Sequence, residues 1–230
     1  FEEVVDYNIR NLSGTASANY RINTRLKAIK RLWDGFCFVL KHENQKGGMK
    51  MLSLDKVFNA QTVLKNIIRE TNVVRAYGIA PDCELYLKPE NLQITGSFKV
   101  RGSAYKIAML SDEEKEKGVI ACSAGNHAQG VALAATKNGI KSLICLPDTA
   151  PISKVEATKG FGAEVCLVEG CYDDAYQKAI ELKESKGYTF VHPFDDENVI
   201  AGQGTIALEV LSELDDIDAI VVPIGGGGLI

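Results

Sequence analysis

Residues 119–130 of the chain read V-I-A-C-S-A-G-N-H-A-Q-G, a short apolar run followed by small and polar residues. The run at 119–122 has the length and composition of a buried strand. Asn126 stands where a helix would begin, after a turn that contains Gly125. A strand that passes into a helix in this way is the repeating unit of α/β proteins, so this stretch predicts an α/β fold.

The same alternation continues toward the C-terminus. We predict strands at 119–122, 142–146, 164–168 and 188–191, with helices beginning at Asn126, Ile152 and Tyr172. This order is typical of a parallel sheet covered by helices, in which ligand groups collect at the carboxyl ends of the strands. Elsewhere we predict helices at 54–68, 98–110 and 205–214, strands at 84–87 and 219–224, and N-caps at Ser53, Ser97 and Ser111.

The composition is that of an ordinary globular protein. Hydrophobic residues make up 46% of the 230 residues, which is enough to bury a sizeable core. The net charge of -4 provides no basic field, so no nucleic-acid partner is expected. No apolar run approaches the roughly 20 residues of a membrane-spanning helix. The six cysteines include no C-x-x-C pair, which favours reduced thiols and a cytoplasmic location, and no metal site is predicted.

Residues 1–48 differ from the rest of the chain because they show no clear helical or strand period. Acidic residues such as Glu2 and Asp34 argue against a transit peptide. The K-G-G at 46–48 can be encoded by a purine run that resembles a bacterial ribosome-binding site. We therefore expect residues 1–48 to be a non-native or disordered leader, with initiation at Met49 or Met51.

The first of three chemical motifs is E-N-L-Q-I-T-G-S-F-K-V-R-G at residues 90–102. A lysine partly buried beside Phe98 would lose its proton readily enough to form a Schiff base. Most lysines, however, are solvated surface charges. Lys99 is therefore a candidate only because of the pattern around it.

The other two motifs are S-A-G-N-H at 123–127 and G-G-G-G at 225–228. Backbone donors and Asn126 could hold a carboxylate and a ring oxygen, although Asn126 would serve equally well as an N-cap. His127 is more often a packed or capping histidine than a catalyst. The glycines let successive backbone N–H groups turn toward one anion, which suits a monophosphate cofactor, although a flexible turn explains them nearly as well. Four glycines after a predicted strand should lead into a helix, so the end at Ile230 predicts a C-terminal truncation.

The three motifs occur in this order, together with L-P-D-T-A-P-I-S-K at 146–154 and H-P-F-D-D at 192–196. In this arrangement they resemble the motifs of threonine dehydratases among the fold-type-II pyridoxal-phosphate enzymes. The resemblance runs from about Met51 to Ile230. It implies a tryptophan synthase β-like α/β fold, with parallel twisted sheets flanked by helices and incomplete at the C-terminus. It further implies that 49–117 and 193–230 are parts of the large cofactor domain and that 118–192 form a small α/β domain.

The resemblance also implies roles for individual residues. Lys99 would be the catalytic residue and would carry pyridoxal 5'-phosphate, with Phe98 near the ring and Asn126 on the ring hydroxyl. The cofactor phosphate would lie against the loop of Gly225, Gly226, Gly227, Gly228 and Leu229. The substrate carboxylate would meet the loop of Ser123, Ala124, Gly125, Asn126 and His127.

The implied reaction eliminates the β-hydroxyl of L-threonine, and also of L-serine, as water, and hydrolysis of the product then releases ammonia and gives 2-oxobutanoate or pyruvate. Ala124 stands where the related serine racemases carry a serine that acts on the opposite face of the cofactor, which favours elimination over racemisation. A serine racemase, a serine dehydratase and a non-catalytic fragment stay open as alternatives. An NAD-binding domain is not supported, because no strand leads into G-x-G-x-x-G. A homo-oligomer is implied for the full-length protein, and the catabolic or biosynthetic role is left open.

Overall fold

The computed structural model describes residues 52–80 and 83–230, so the leader predicted at residues 1–48 lies outside the described residues. Its helices are α1 Leu54–Leu64, α2 Lys99–Ala108, α3 Asp112–Lys117, α4 Asn126–Lys137, α5 Ile152–Gly160, α6 Tyr172–Lys186 and α7 Glu197–Glu213. Its strands are β1 Val74–Arg75, β2 Tyr86–Leu87, β3 Val119–Cys122, β4 Ser142–Pro147, β5 Glu164–Val168 and β6 Thr189–Phe190. A 3-10 turn covers Glu90–Leu92.

The predicted parallel sheet is present. It has four strands in the order β5-β4-β3-β6, and each adjacent pair is parallel. Its register places Cys122 beside Cys145 and Cys145 beside Cys166, so three thiols lie in one row across the sheet. All four strands lie between residues 118 and 192, where the small α/β domain was expected, and the division into domains itself stays a prediction.

Helix α2, which begins at Lys99, packs against α1, α4 and α7. Its crossing with α7 is close, because a Cβ built on Gly202 would lie 2.6 Å from the Cα of Gly102. A Cβ built on Gly102 would lie 2.6 Å from the carbonyl oxygen of Val199. Glycine at both positions is therefore what allows the two backbones to touch.

Two of the predicted N-caps are confirmed and one is shifted. The Ser53 hydroxyl accepts a hydrogen bond from the Lys56 amide at 3.3 Å, and Ser111 forms a complete capping box with Glu114. Ser97 is not the N-cap of α2, because that position belongs to Phe98. The Ser97 hydroxyl instead accepts from the Lys99 amide at 3.2 Å.

Helices α1 and α7 differ in length from the prediction. Helix α1 ends at Leu64, and the apolar residues Ile67 and Ile68 pack against the core from a turn. Helix α7 begins at Glu197, well before the predicted start at Thr205. Asp196 starts it by accepting hydrogen bonds from two backbone amides, at 2.8 and 3.1 Å.

The predicted strand at 219–224 is wrong. These residues form no strand, and Ile220, Val221 and Ile224 are 52%, 45% and 40% exposed. A strand needs a neighbour that pairs with its backbone, and within residues 52–80 and 83–230 no strand pairs with this run. The predicted strand at 84–87 shortens to β2, which pairs antiparallel with β1. Across the same residues, no helix is both long and apolar enough to cross a membrane.

Candidate active site

Lys99 is the first residue of α2, and its side chain is half-buried. Its Nζ donates a hydrogen bond to the carbonyl oxygen of Pro193 at 2.7 Å. The same nitrogen lies 5.4 Å from the centroid of the half-buried Phe98 ring. Burial lowers the pKa of Lys99, because the charged amine is partly removed from water. This is the environment that a nucleophilic amine requires.

Arg101 fixes the segment that carries Lys99. Its guanidinium is fully buried and binds the Glu90 carboxylate through two hydrogen bonds of 2.8 Å. It also binds the Glu209 carboxylate through two hydrogen bonds, at 2.6 and 2.8 Å, and Thr205 Oγ1 at 3.1 Å. Glu90 opens the motif that ends at residue 102 and Glu209 lies on α7, so one side chain ties the loop, α2 and α7 together.

The charges around Arg101 are balanced by a second cation. Lys88 Nζ lies 2.6 Å from Glu209 Oε2, and both side chains are largely buried. Burial alone would raise the pKa of Glu209, but hydrogen bonds from Arg101 and Lys88 hold it below its ordinary value. Lys88 Nζ also lies 3.6 Å from Oε1 of the more exposed Glu213, so both cations of the cluster, Arg101 and Lys88, are paired with carboxylates, as buried charges need to be.

His127 is buried in the first turn of α4. Its Nε2 lies 2.9 Å from the carbonyl oxygen of Val191, and its Nδ1 lies 3.5 Å from Ser103 Oγ. Burial lowers the pKa of His127 to about 4, so the ring is neutral near pH 7. Both ring nitrogens face protein atoms, and the assignment of His127 to substrate binding stays a prediction.

The predicted substrate loop lies at the carboxyl end of β3, directly before α4. Ser123, Ala124 and Gly125 are half-buried, and the Gly125 amide donates to Ser123 Oγ at 3.2 Å. Asn126, the first residue of α4, is exposed. The loop therefore presents polar groups and the start of a 12-residue helix at the edge of the parallel sheet, where ligands are expected in such folds.

The H-P-F segment at 192–194 joins Lys99 to the tetraglycine loop. A Cβ built on Gly226 would lie 2.3 Å from the Phe194 ring, and one on Gly228 would lie 2.7 Å from the Phe194 carbonyl oxygen. Gly227 has a φ of 87°, a conformation that favours glycine. In the described part of the chain, the amides at 225–228 donate no hydrogen bond. Their N–H groups are thus available to an anion.

The structure links Lys99 to the tetraglycine loop through the H-P-F segment, and it places the loop at 123–126 at the carboxyl end of β3. Lys99 contacts Pro193, and Phe194, which follows Pro193, packs on the glycine loop. Leu229, beside that loop, is half-buried. Sequence reasoning missed the roles of Ser103 and of the H-P-F segment. The position of that segment, directly after the predicted strand at 188–191, was a signal that could have identified it, since parallel strands deliver ligand groups at their carboxyl ends.

A sequence profile of the family described as "Pyridoxal-phosphate dependent enzyme" matches residues 64–230. The chain belongs to this family. The predictions of the family, of the fold-type-II α/β class and of pyridoxal phosphate as the family's cofactor are thereby confirmed.

Individual relatives point to related activities. The chain is 50% identical over 182 residues to the L-threonine ammonia-lyase of Thermotoga maritima, covering 78% of the chain and 45% of that protein. It is 47% identical over 183 residues to "L-threonine dehydratase catabolic TdcB" of Staphylococcus aureus, covering 78% of the chain and 53% of that protein. The chain thus spans about half the length of these curated relatives.

Two solved structures resemble the described fold closely. The processed form of threonine deaminase isoform 2 from Solanum lycopersicum matches with a TM-score of 0.73 at 36% identity, over 84% of this chain and 59% of that one. Maize serine racemase matches with a TM-score of 0.74 at 37% identity, over 76% of this chain and 54% of that one. The fold is therefore shared by a deaminase and a racemase, and it does not by itself choose between them.

Proposed function

We propose that the site around Lys99 catalyses the pyridoxal-phosphate-dependent deamination of L-threonine, and also of L-serine, to 2-oxobutanoate or pyruvate and ammonia, in which the water lost by elimination is taken up again by the hydrolysis that releases ammonia. One observation carries the proposal: a half-buried amine with a lowered pKa, hydrogen-bonded to Pro193 and lying beside Phe98. Such an amine is suited to bind a carbonyl compound covalently and to move a proton afterwards. Similarity to threonine ammonia-lyase and threonine dehydratase supports the choice of substrate.

The residues of the site fit the cofactor by their chemistry. Lys99 would hold it covalently, with Phe98 against the ring and Asn126 on the ring hydroxyl. The loop Gly225, Gly226, Gly227, Gly228 and Leu229 would hold the phosphate, because its amides are available and Gly227 has a positive φ. When bound, pyridoxal phosphate supplies an electron-withdrawing ring that makes the substrate Cα–H acidic.

The substrate would lie between Lys99 and the loop of Ser123, Ala124, Gly125, Asn126 and His127. Backbone donors at the start of α4 and the positive end of this helix favour a carboxylate there. Lys99 would then take the proton from Cα on its own face of the substrate. Ala124 has no side-chain proton to give on the loop side.

A serine racemase is the second candidate, and the likeness to maize serine racemase favours it. Racemisation needs a proton donor on the face opposite the lysine, whereas elimination does not. Ala124 cannot serve as that donor, which is the reason to prefer elimination. Chiral analysis of L-serine incubated with the protein separates the two, since a racemase produces D-serine and the proposed lyase produces pyruvate.

The proposal is tested by adding pyridoxal phosphate to the 230-residue chain, to its Lys99→Ala variant and to a Lys65→Ala control, in which an exposed lysine is removed. We expect a new absorbance band in the parent chain and in Lys65→Ala, but not in Lys99→Ala. L-threonine is then added, and 2-oxo acid is assayed. A band that persists in Lys99→Ala would refute the role of Lys99.

A Lys99-dependent band without 2-oxo acid from either amino acid would refute the lyase proposal for this chain while leaving the cofactor site intact. Formation of D-serine would replace the proposal by the racemase alternative. A homo-oligomer of the full-length protein and a cytoplasmic location stay predictions alongside the activity.

A further inference from the structure

We infer that His127 is a positioning residue for Lys99 and reaches that lysine through two sets of contacts: packing beside Ser103 at the backbone, and a hydrogen bond to the segment that receives the amine. The inference rests on the proposed function in that Lys99 is the residue that carries the cofactor. It assigns to His127 a task that needs no contact with substrate.

The first set of contacts reaches the backbone of Lys99. Ser103 Oγ donates to the Lys99 carbonyl oxygen at 3.0 Å and lies 3.5 Å from His127 Nδ1. Gly130, one turn farther along α4, lets the helices approach, since a Cβ there would lie 3.2 Å from the Lys99 carbonyl carbon. The start of α4 and the start of α2 are therefore packed together directly at the lysine.

The second set reaches the amine of Lys99. His127 Nε2 lies 2.9 Å from the Val191 carbonyl oxygen, and two residues later the Pro193 carbonyl accepts from Lys99 Nζ at 2.7 Å. The hydrogen-bonded path from His127 to the Lys99 amine therefore runs through residues 191–193, whereas His127 meets Ser103 by packing alone. His127 thereby links the start of α4 to the segment that follows β6.

The chemistry of the contacts fixes the tautomer of His127. A carbonyl oxygen only accepts, so Nε2 must carry the proton that it donates to Val191. The titratable groups that face His127 are Lys99 and His192, and each would repel a second proton on the ring. Burial and these neighbours keep the ring neutral near pH 7, with the proton on Nε2. Nδ1 receives no proton from Ser103, because the one hydroxyl proton of Ser103 goes to the Lys99 carbonyl oxygen.

Loss of the hydrogen bond from His127 to the Val191 carbonyl oxygen is expected to destabilise the fold. Val191 is fully buried, and a buried carbonyl that loses its donor costs about 1–3 kcal/mol. Glutamine can place an amide nitrogen where the imidazole Nε2 lies, whereas asparagine reaches only to the position of Nδ1. His127→Gln therefore preserves the donor to Val191, and His127→Asn and His127→Leu remove it.

The test measures the order of the Lys99 side chain in the 230-residue chain without cofactor, from carbon-13 relaxation of the lysine Cε methylenes, with Lys99→Met to assign the signal. Lys106 is the internal control, because it lies on the same helix and pairs with Asp196 at 2.7 Å. We expect Lys99 to lose its order in His127→Leu and His127→Asn but to keep it in His127→Gln, with Lys106 unchanged in all three.

Unchanged order at Lys99 in His127→Leu, or an equal loss at Lys99 and Lys106, would overturn the inference, because both indicate a role in packing alone. If His127→Leu does not fold, the comparison of His127→Gln with His127→Asn decides, and equal behaviour of the two counts against it. A nitrogen-15 spectrum that shows the proton on Nδ1 would also overturn it. Because no cofactor is present, failure of the parent chain to take up pyridoxal phosphate refutes the proposed function without affecting this result.

Discussion

Replacing Arg101 with leucine removes the centre of the buried charge cluster and leaves two carboxylates facing an apolar side chain. Glu90 loses both of its hydrogen bonds to Arg101, as does Glu209. Removing one partner of a buried pair costs about 3–5 kcal/mol. Glu209 keeps Lys88 at 2.6 Å, which places the expected loss near the lower end, at about 3 kcal/mol.

The loss should depend on pH in a defined direction. In the parent chain the pKa of Glu209 lies below its ordinary value. The charged carboxylate therefore stabilises the fold fully when the pH is above the ordinary pKa, and this stabilisation is lost as the pH falls through the lowered pKa. In Arg101→Leu this contribution is largely absent, and protonation of Glu209 relieves the unpaired charge. The difference in free energy of unfolding should therefore be smaller at about pH 4 than near neutrality.

Urea unfolding followed by far-UV circular dichroism measures both effects. Lys117→Met is the matched control, because it also removes one positive charge and breaks a close pair, Lys117 to Glu113 at 2.6 Å, but on an exposed helix face. Exposed pairs contribute little, so no resolvable change in the unfolding midpoint is expected for it. A loss in Arg101→Leu no larger than that of Lys117→Met would refute the claim that the buried cluster holds the segment around Lys99.

Three further predictions address other parts of the chain. Gly202→Ala should destabilise by about 1–3 kcal/mol because its Cβ has no room, whereas Gly160→Ala meets nothing within 4 Å and should stabilise by up to about 1 kcal/mol, both measured by urea unfolding. The low pKa of His127, about 4 against 6.5, should make the parent chain lose about 3 kcal/mol of stability as the pH falls from 6.5 toward 4, and His127→Gln should lack this loss. Among the five cysteines of the described residues, exposed Cys171 should react first with a disulfide reagent, while Cys145, whose pKa burial raises to about 12, should react only on unfolding, as read by mass spectrometry of the labelled peptides.

Local sequence signals were sufficient to predict the elements whose deciding contacts are with residues close in sequence. Strands β3 and β5 have the predicted bounds, because each is a short apolar run with a turn on both sides and a strand partner close in sequence. The capping box at Ser111 was also predictable, since all of its contacts lie within three residues. These are the cases in which the interactions that decide the structure are local.

Prediction from the sequence failed for features that depend on contacts between residues far apart in the chain. The start of α7 contains Gly202 and Gly204, which weaken a helical pattern, yet Gly202 is there because α2 crosses at that point. The run at 219–224 is apolar enough for a strand, but a strand also requires a partner, which a local pattern does not supply. The partners of Arg101 lie 11 and 108 residues away, so no short window could reveal the cluster.

The surroundings of Lys99 indicate which feature controls its reactivity. Its lowered pKa has burial as its cause, although the charged Arg101 is only two residues away. The carboxylates of Glu90, Glu209 and Glu213 pair with Arg101 and Lys88, so these two cations are not left unpaired to lower the pKa of Lys99. A change that admits water at Pro193 should therefore raise the pKa of Lys99, whereas a change that removes the whole cluster should mainly lower the stability of the fold.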